Sequence, residues 1–354
     1  MDDPQHEKSG KPTLPLVRLN LALPFVEEMD RLQVNSDAVF GKHGLARSSV
    51  LDPDLFVSVN TIHRLLEDMA AATNDPFFGV HVGECLDFTD WAPLIDATKR
   101  AVTLADFLTR FILAASEEAS SARHCLEILG AYTFFRERRI SEPDITPSQN
   151  DAFTAAYVLT ILQNAIGQDW DPQEVLLQVC NPAVLPTGYR GIQVAGCDNR
   201  GMTIRFPSRW LVHTVEHSGS ISSSAASNEK SRPPGSFLDA LRQTIAPHLG
   251  NAKLTVDFVA QLSGLSRQAL QRRLKTNGTS LSQEISTLKK QRAIEDLTHT
   301  DKAVATIGQA LGFNNSATFT RAFKTWTGQS PRDYRKTHER CITDGVKSKG
   351  TSVT

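Results

Sequence analysis

Residues 256–274 have the sequence VDFVAQLSGLSRQALQRRL, and the interpretation of the C-terminal part of the chain rests on them. The pattern predicts a short helix that ends at Gly264, because glycine adopts the positive φ of a sharp turn at little cost. Ser266 is placed to cap a second helix. The inward positions are Val259, Ala260, Leu265, Leu270 and Leu274. Two short helices that share an apolar core across a glycine turn form a helix-turn-helix.

The second of these helices carries polar residues on the side away from the apolar positions. They are Arg267, Gln268, Gln271 and Arg272. Arg and Gln side chains can form paired hydrogen bonds with guanine and adenine edges in the major groove of DNA. We therefore predict that these four residues contact DNA.

A second copy of the pattern follows about 48 residues later, measured from Gly264 to Gly312. Residues 304–324 have the sequence VATIGQALGFNNSATFTRAFK, in which the inward positions are Ile307, Leu311, Phe313, Phe319 and Phe323. The residues predicted to face DNA are Ser316, Ala317, Thr318, Thr320, Arg321 and Lys324. Apolar residues at Leu281, Ile285, Leu288, Ala293 and Leu297 predict a connecting helix, with Ser280 and Gln283 forming a capping box.

Charge is distributed unevenly along the chain. Residues 1–236 contain 20 Lys and Arg against 30 Asp and Glu, whereas residues 237–338 contain 15 against 7. The C-terminal part is thus basic, although the formal net charge of the whole chain is only −1. A basic domain beside an acidic one favours binding of a polyanion by the basic part, although a solvated basic surface would give the same count.

The composition of the 354 residues is that of a globular protein, with 40% hydrophobic and 22% charged residues. The sequence contains neither an apolar run long enough for a membrane helix nor a secretory signal pattern, so we expect a cytoplasmic protein. Its 5 cysteines are scattered without a CxxC pair, which argues against a disulfide framework and a cysteine zinc site. We expect no cofactor, since the sequence contains neither a glycine-rich phosphate loop nor a serine-nucleophile elbow.

A flexible tether is predicted between two folded parts. Residues 217–235 have the sequence HSGSISSSAASNEKSRPPG, which offers almost no large apolar side chains for burial. We therefore predict a folded domain over 14–217, a linker over 218–236 and a second domain over 237–338. The second is predicted to be all-α, with two tandem helix-turn-helix motifs.

The N-terminal part is predicted to be α+β. Apolar residues recur at helical spacing over 61–73, 104–115 and 153–166, while strand-like runs occupy 126–129, 174–179 and 201–207. Its aromatic residues are candidates for the lining of an effector pocket, although ordinary core is the simpler interpretation. They are Phe77, Phe78, Phe107, Phe111, Phe134 and Phe135. The effector-binding residues are not identified by the sequence.

Residues 236–337 resemble the DNA-binding domain of the AraC/XylS family of bacterial transcription regulators. The resemblance rests on the first helix-turn-helix, on Leu311-Gly312-Phe313 with Phe319-Thr320-Arg321-Ala322-Phe323-Lys324, and on the closing pattern Gly328-x-Ser330-Pro331-x2-Tyr334-Arg335. It implies a seven-helix domain whose two recognition helices enter successive major grooves. By position, Gln268, Gln271 and Arg272 approach bases in one groove, and Ala317, Thr318 and Arg321 in the other.

Two positions depart from the family pattern. Gly308 stands where the family usually has alanine, and helix propensity alone predicts a cost of about 0.5–1 kcal/mol for that helix. Ala317 and Thr318 have less hydrogen-bonding reach than the long polar residues often found there. We therefore expect Arg321 to dominate base reading in the second groove, with a possible apolar contact to a thymine methyl.

Residues 14–217 resemble the arabinose-binding-type regulatory domain of OruR- and VirS-like members of the same family. The matching segments are TNDPFFGV at 73–80, TLADFL at 103–108 and PSRWL at 207–211. The resemblance implies a homodimer that senses a small-molecule effector, although it does not identify arabinose. It also implies double-stranded promoter DNA and RNA polymerase as partners, and no membrane. We thus interpret the chain as a transcription regulator and not an enzyme.

Other functions are also weighed, one of them because of a local sequence pattern. His213-Thr214-Val215-Glu216-His217 matches a zinc-hydrolase motif, with two ligands and a general base, but the tether follows where a third ligand is needed. An architectural DNA binder without an effector is a further alternative. A DNA-repair methyltransferase is disfavoured, because the chain lacks the required cysteine zinc cluster and reactive Pro-Cys-His context.

Two smaller groups are weighed in the same way. His81 and Cys85 are spaced like metal ligands but lack evident further ligands, so packing is the favoured reading. Residues 136–139, Arg-Glu-Arg-Arg, are interpreted as a solvated strand end, with contact to DNA or a partner subunit as the alternative.

Overall fold

The computed structural model describes residues 14–87, 91, 94–215, 232–250 and 254–337. The chain divides into two compact units, one comprising 1–240 with 262–264 and the other 241–261 with 265–354. Most of the predicted linker, as well as Glu216 and His217, lies outside the described residues. The predicted boundaries at 217 and 236 stay predictions.

The first unit contains seven α-helices and seven strands among its described residues. The helices are α1 Leu23–Arg31, α2 Asp37–Lys42, α3 Val59–Thr73, α4 Phe78–Glu84, α5 Ile95–Arg100, α6 Leu104–Glu118 and α7 Ser148–Ile166. The strands are β1 Leu16–Arg18, β2 Phe56–Ser58, β3 Ala122–Leu129, β4 Tyr132–Arg139, β5 Leu176–Val179, β6 Gln193–Gly196 and β7 Thr203–Pro207. Short 3-10 helices connect several of them, and the unit is α+β as predicted.

The strands form two sheets. β1 and β2 pair antiparallel, and the other five strands form a sheet in the order β3-β4-β7-β5-β6, in which only β5 and β6 are parallel. The three predicted helices appear as α3, α6 and α7, and the three predicted strand runs as β3, β5 and β7. Thr103 caps α6 by accepting a hydrogen bond from the Asp106 backbone N–H at 3.3 Å.

The interpretation of 136–139 as a solvated strand end was wrong for half of its residues. These residues do form the end of a strand, β4, which lies inside the sheet between β3 and β7 and outside the three predicted strand runs. The Arg139 side chain is 3% exposed and forms ion pairs with Asp151 and, at 3.2 Å, with Glu137. Arg136 and Arg138 do lie nearer to solvent, where both pair with Glu127. The strand alternates its faces, and one face enters the core.

A buried ionic cluster is therefore part of the first unit. Burial alone would raise the pKa of Glu137, but Arg139 and His124 outweigh it and lower this pKa to about 2. Burial raises the pKa of Asp151. His63, which is 2% exposed, has a pKa lowered to about 3 because burial disfavours its charged form and Arg139 repels it, against a smaller opposite effect of Glu137. His63 is thus neutral near pH 7.

The second unit is helical throughout its described residues. Its helices are α8 Phe237–Ile245, at which the division between the units falls, α9 Val256–Leu262, α10 Arg267–Thr276, α11 Leu281–His299, α12 Val304–Ala310 and α13 Ser316–Thr327. Residues 331–337 are also helical. The first helix-turn-helix consists of α9 and α10, the second of α12 and α13, and α11 is the predicted connecting helix.

The turns have the backbone geometry expected from the sequence. Gly264 and Gly312 have φ of +61° and +73°, in the left-handed region that favours glycine. Ser266 caps α10 by accepting from the Ala269 backbone N–H, and Ser280 caps α11 by accepting from that of Gln283. Each helix thus begins at the residue where its polar cap stands.

Gly308 has a tertiary role that helix propensity does not include. It is buried on α12, and an added Cβ would lie 3.0 Å from both Cβ and Cγ of Phe319 on α13. Phe319 is itself fully buried, so its ring has little freedom to move away. The missing side chain allows α12 and α13 to pack closely.

We expect Gly308→Ala to destabilise the second unit, because crowding against Phe319 outweighs the gain in helix propensity of about 1 kcal/mol. Gly41→Ala is the matched control, since Gly41 lies in α2 with nothing within 4 Å of an added Cβ, so this variant should gain stability. Thermal unfolding followed by circular dichroism measures both midpoints. A higher midpoint for Gly308→Ala would contradict the packing argument.

His63 predicts a pH dependence of stability. Its folded pKa of about 3 lies below the ordinary value of 6.5, so the unfolded chain binds more protons between these pH values. Stability attributable to His63 is complete above pH 6.5 and falls as the pH drops, by at most about 1.4 kcal/mol per pH unit. Urea unfolding of the full chain at pH 7.5, 6.0 and 5.0 should show a shallower decline for His63→Gln. Parallel declines in the two proteins would refute this.

Candidate nucleic-acid interface

The four residues predicted to contact DNA from α10 lie on the surface of the second unit. Arg267, Gln268, Gln271 and Arg272 are all exposed, whereas Leu270 and Leu274 of the same helix are buried. Gln268, Gln271 and Arg272 are three and four residues apart, a spacing that brings side chains together on one helix face. The structure therefore presents them as one polar surface.

The two arginines of this set differ in their surroundings. Arg267 donates to the carboxylate of Asp257 on α9, at 2.9 and 3.2 Å. Both side chains are more than half exposed, and such surface pairs contribute only about 0.2–1 kcal/mol, so this pair is easily exchanged. No partner within the described part of the chain is recorded for the guanidinium of Arg272.

The set on α13 is also on the surface, with one exception. Ser316, Ala317, Thr318, Arg321 and Lys324 are exposed, while Thr320 is half-buried. Ala317, Thr320, Arg321 and Lys324 follow the helical spacing that aligns them along one face. Among the described residues, no partner is recorded for the charged groups of Arg321 and Lys324.

Thr318 has a distinct role at the start of α13. The side-chain oxygen Oδ1 of Asn315 accepts from the Thr318 backbone N–H at 2.8 Å and from its hydroxyl at 2.9 Å. The hydroxyl therefore uses its donor within the helix cap.

A groove beside α13 was not anticipated from the sequence. It has a volume of about 620 Å³ and is lined by Ala303, Val304, Ala305, Ser316, Thr320, Ser330, Pro331, Arg332 and Arg335. The Arg335 guanidinium is held within the unit, because it donates to the backbone carbonyls of Leu297 and Lys302. The Arg332 side chain, in contrast, is exposed. The three lining segments are separated in the sequence and are adjacent only through folding, so no local pattern could reveal the groove.

Buried carboxylates support the helices that carry these surfaces. Glu284 of α11, 4% exposed, accepts from Arg242 of α8 at 2.8 Å and from Thr279, in the turn after α10, at 2.7 Å. Asp296 near the other end of α11 pairs with Lys302, in the segment before α12, at 3.2 Å. Only the carboxylates are buried, since the Arg242 and Lys302 side chains are 34% and 48% exposed, and each pair links α11 to a neighbouring segment of one motif.

The alternative metal sites gain no support from the described residues. His213 lies 4.0 Å from Asp169, and the other two residues of its motif lie outside the described ranges. His81 Nδ1 forms a hydrogen bond with the carboxylate of Asp75 at 2.6 Å, and Cys85 is exposed. Within the described ranges, no cluster of three or more His, Cys, Asp or Glu side chains is arranged to hold a metal ion. Nor does any described helix have the length and apolar character needed to cross a membrane.

Solved structures of regulators show similarity at low scores. The crystal structure of transcriptional regulator CdpR from Pseudomonas aeruginosa is 15% identical, aligned over 95% of this chain and 100% of that chain, with a TM-score of 0.39. The C-terminal domain of the response regulator AraT from Geobacillus stearothermophilus is 30% identical over 28% of this chain and 84% of that chain, with a TM-score of 0.27.

Curated relatives match over parts of their length. The ornithine utilization regulator of Pseudomonas aeruginosa is 41% identical over 71 residues, which are 20% of this chain and 21% of that protein. The transcriptional activator NphR of a Rhodococcus species is 26% identical over 144 residues, 40% of this chain and 42% of that protein. The chain thus spans between about a fifth and two fifths of these two relatives.

Two family models match in the order that the sequence analysis anticipated. The model of the arabinose-binding N-terminal domain of AraC transcription regulators matches residues 34–198, and a helix-turn-helix domain model matches residues 259–337. Together they account for about two thirds of the chain, and they coincide with the α+β unit and the two helix-turn-helix motifs described above. The chain belongs to the AraC/XylS family of transcription regulators.

Proposed function

We propose that this chain is a sequence-specific, DNA-binding transcription regulator controlled by a small-molecule effector. The observation that carries the proposal is the presence of two helix-turn-helix motifs in tandem, each with an exposed arginine, Arg272 or Arg321, whose charged group has no recorded partner in the described part of the chain. An unpaired guanidinium on a surface helix is available for a base edge at no cost in broken protein contacts.

The face of α10 reads one major groove and the face of α13 the next. In the first groove, Arg272 donates hydrogen bonds to a guanine, while Gln268 and Gln271 form hydrogen bonds with adenines or neighbouring bases. Arg267 releases its ion pair with Asp257 and contacts DNA instead. In the second groove, Arg321 is flanked by Ser316, Thr320 and Lys324. Successive major grooves are about 34 Å apart, so one chain covers roughly 20 base pairs.

Thr318 contributes through its methyl group. Because its hydroxyl hydrogen is donated to Asn315, the Thr318 oxygen can only accept and cannot donate to the O4 of a thymine, so its methyl group is what it offers that base, as for its neighbour Ala317. A thymine C5-methyl is the apolar feature of the major groove. This part of the second site therefore selects thymine by contact rather than by hydrogen bonding.

Phosphate contacts supply most of the affinity. Lys275, Lys324 and Arg332 are exposed on the second unit, and Lys253 joins them from outside the described residues. Each neutralised phosphate releases counterions, so binding weakens steeply with salt. The groove lined by Arg332 and Ser316 is a place where the sugar-phosphate backbone fits beside α13.

Control is exercised by the N-terminal domain. Residues 14–217 sense the effector and form a homodimer, and residues 218–236 connect them to the DNA-binding domain of residues 237–338. This division is supported by the match of 34–198 to a regulatory-domain model. Promoter DNA and RNA polymerase are the macromolecular partners, the protein acts without enzymatic activity, and it works in the cytoplasm.

Arg272→Ala should abolish base preference at the base pair that Arg272 reads in one half of the site, at a cost of about 1–3 kcal/mol for the preferred base pair. Binding-site selection from random DNA with full-length protein in 0.15 M salt measures this. Arg321→Ala should erase the preference at the base pair that Arg321 reads in the other half and leave the first half unchanged. A selected sequence that is unaltered by either change would refute the assignment.

Lys275→Ala is the matched control for the arginines. As a phosphate contact, it should weaken binding equally for all sequences, retain the selected site and reduce the slope of log affinity against log salt by about 1. Equal binding of wild-type protein to all DNA would instead identify an architectural binder.

Thr318→Val keeps the methyl group and removes the hydroxyl, so we expect the base preference of the second half-site to persist. Thr318→Ser removes the methyl and keeps the hydroxyl, and should lose a thymine preference at one position. The same selection experiment compares both variants. The methyl contact is excluded if the serine variant retains that thymine and the valine variant does not.

A further inference from the structure

A cavity lies inside the first unit, and the sequence analysis did not locate it. It is bounded by residues of α1, α3, α6 and α7 and by the β3–β4 hairpin, and its volume is about 100 Å³. We call it the α3–α7 cavity. Of the six aromatic residues considered from the sequence as pocket lining, only Phe111 lines it. Phe78, Phe107 and Phe135 are instead buried as ordinary core.

Most of the cavity wall is aromatic and apolar. Trp91 packs against Phe153 and Tyr157 with ring centroids 5.6 and 5.4 Å apart, and Phe111 packs against Tyr157 at 5.8 Å. Ile62 and Leu66 of α3 complete the apolar wall. An apolar cavity of about 150 Å³ holds benzene, so this smaller one suits an apolar body smaller than one ring, such as a short branched chain.

Three lining residues carry buried polar atoms with no hydrogen-bond partner among the described residues. They are Nδ1 of His63, Nε1 of Trp91 and Nε of Arg139. His63 is 2% exposed and the Arg139 side chain 3%, and an unpaired buried polar group costs about 1–3 kcal/mol. The Trp91 and Arg139 atoms are N–H groups that can only donate, so they require an acceptor.

The charges around the cavity disfavour an ionic acceptor. The Arg139 guanidinium is already paired with two carboxyl groups, those of Glu137 and Asp151, and Glu137 also faces His124 at 3.6 Å. Glu118, at another part of the wall, pairs with Arg18. A second anion beside these carboxylates would be repelled and would lose its hydration. A cation would bring no acceptor for the two N–H groups.

We propose that the α3–α7 cavity binds a compact, uncharged molecule with an apolar body and one acceptor oxygen, such as a ketone or ester carbonyl. The aromatic wall encloses the body, and Trp91 and Arg139 donate to the oxygen. This assignment rests on the proposed effector-sensing role of the domain and specifies the chemical class of the effector.

Three probes of nearly equal shape test the proposal on the full-length chain at pH 7.5. They are 4-methyl-2-pentanone, isovalerate and isoamylamine, which share a branched apolar body and carry a neutral carbonyl, an anion and a cation. We expect saturable quenching of tryptophan fluorescence and a raised unfolding temperature with the ketone. Isovalerate and isoamylamine should bind at least about tenfold more weakly.

Trp91→Phe removes one donor and keeps an aromatic ring, so the ketone should bind about five- to tenfold more weakly, with binding followed by calorimetry. Trp170→Phe is the matched control, because Trp170 stacks on Trp210 at 5.2 Å and does not line the cavity. Its ketone affinity should be unchanged, and circular dichroism checks that both variants fold.

Several results would overturn the proposal. They are the absence of saturable ketone binding, isovalerate binding as tightly as the ketone, or equal ketone affinity in Trp91→Phe and wild type. The binding-site selection described above is independent of these measurements. Ketone binding by a protein without sequence preference on DNA would refute the proposed regulator function and support the proposed ligand of the cavity. A selected DNA site without ketone binding would support the regulator function and refute the proposed ligand.

Discussion

The two helix-turn-helix motifs depend on a backbone constraint that occurs once in each, a glycine with positive φ followed by a capped helix. Gly264 and Gly312 lie in the turns that follow α9 and α12. Ser266 and Asn315 are the N-terminal caps of α10 and α13. Because each cap and turn determines where its helix begins, it also determines which side chains face the core. The exposed polar surfaces of α10 and α13 follow from this placement, together with the buried apolar residues beneath them.

The first unit is organised around a different constraint, the need to neutralise charge inside an apolar core. Arg139 on β4 meets Asp151 on α7 and Glu137 on its own strand, so the sheet and the helix are joined by ion pairs as well as by apolar packing. Losing one partner would leave a buried charge. The Nε–H group of the same guanidinium has no hydrogen-bond partner among the described residues, and Arg139 lines the α3–α7 cavity. Arg139 therefore connects the stability of the fold with the proposed binding of an effector.

Local signals predicted the helix-turn-helix motifs well, because capping and apolar spacing act within a few residues. The predicted inward positions Ile307, Leu311, Phe319 and Phe323 are buried, and Leu265 and Phe313 are half-buried. Local signals do not predict the surroundings of a residue whose neighbours in space are distant in sequence. The sequence around Arg139 indicates a solvated residue because its partner Asp151 is on another element. Helix propensity alone predicts the wrong role for Gly308, because Phe319 packs directly against it.

The sequence by itself determined the two kinds of unit, the helix-turn-helix motifs and the identity of their polar faces, since periodicity, caps and glycine turns are local properties of the chain. Only the tertiary structure decided that Arg267 is paired with Asp257 while Arg272 has no recorded partner among the described residues. It alone brought His63, Trp91 and Arg139 together around one cavity. The reason is physical: solvation and charge pairing depend on which side chains meet in space, and residues far apart in a chain meet only after folding.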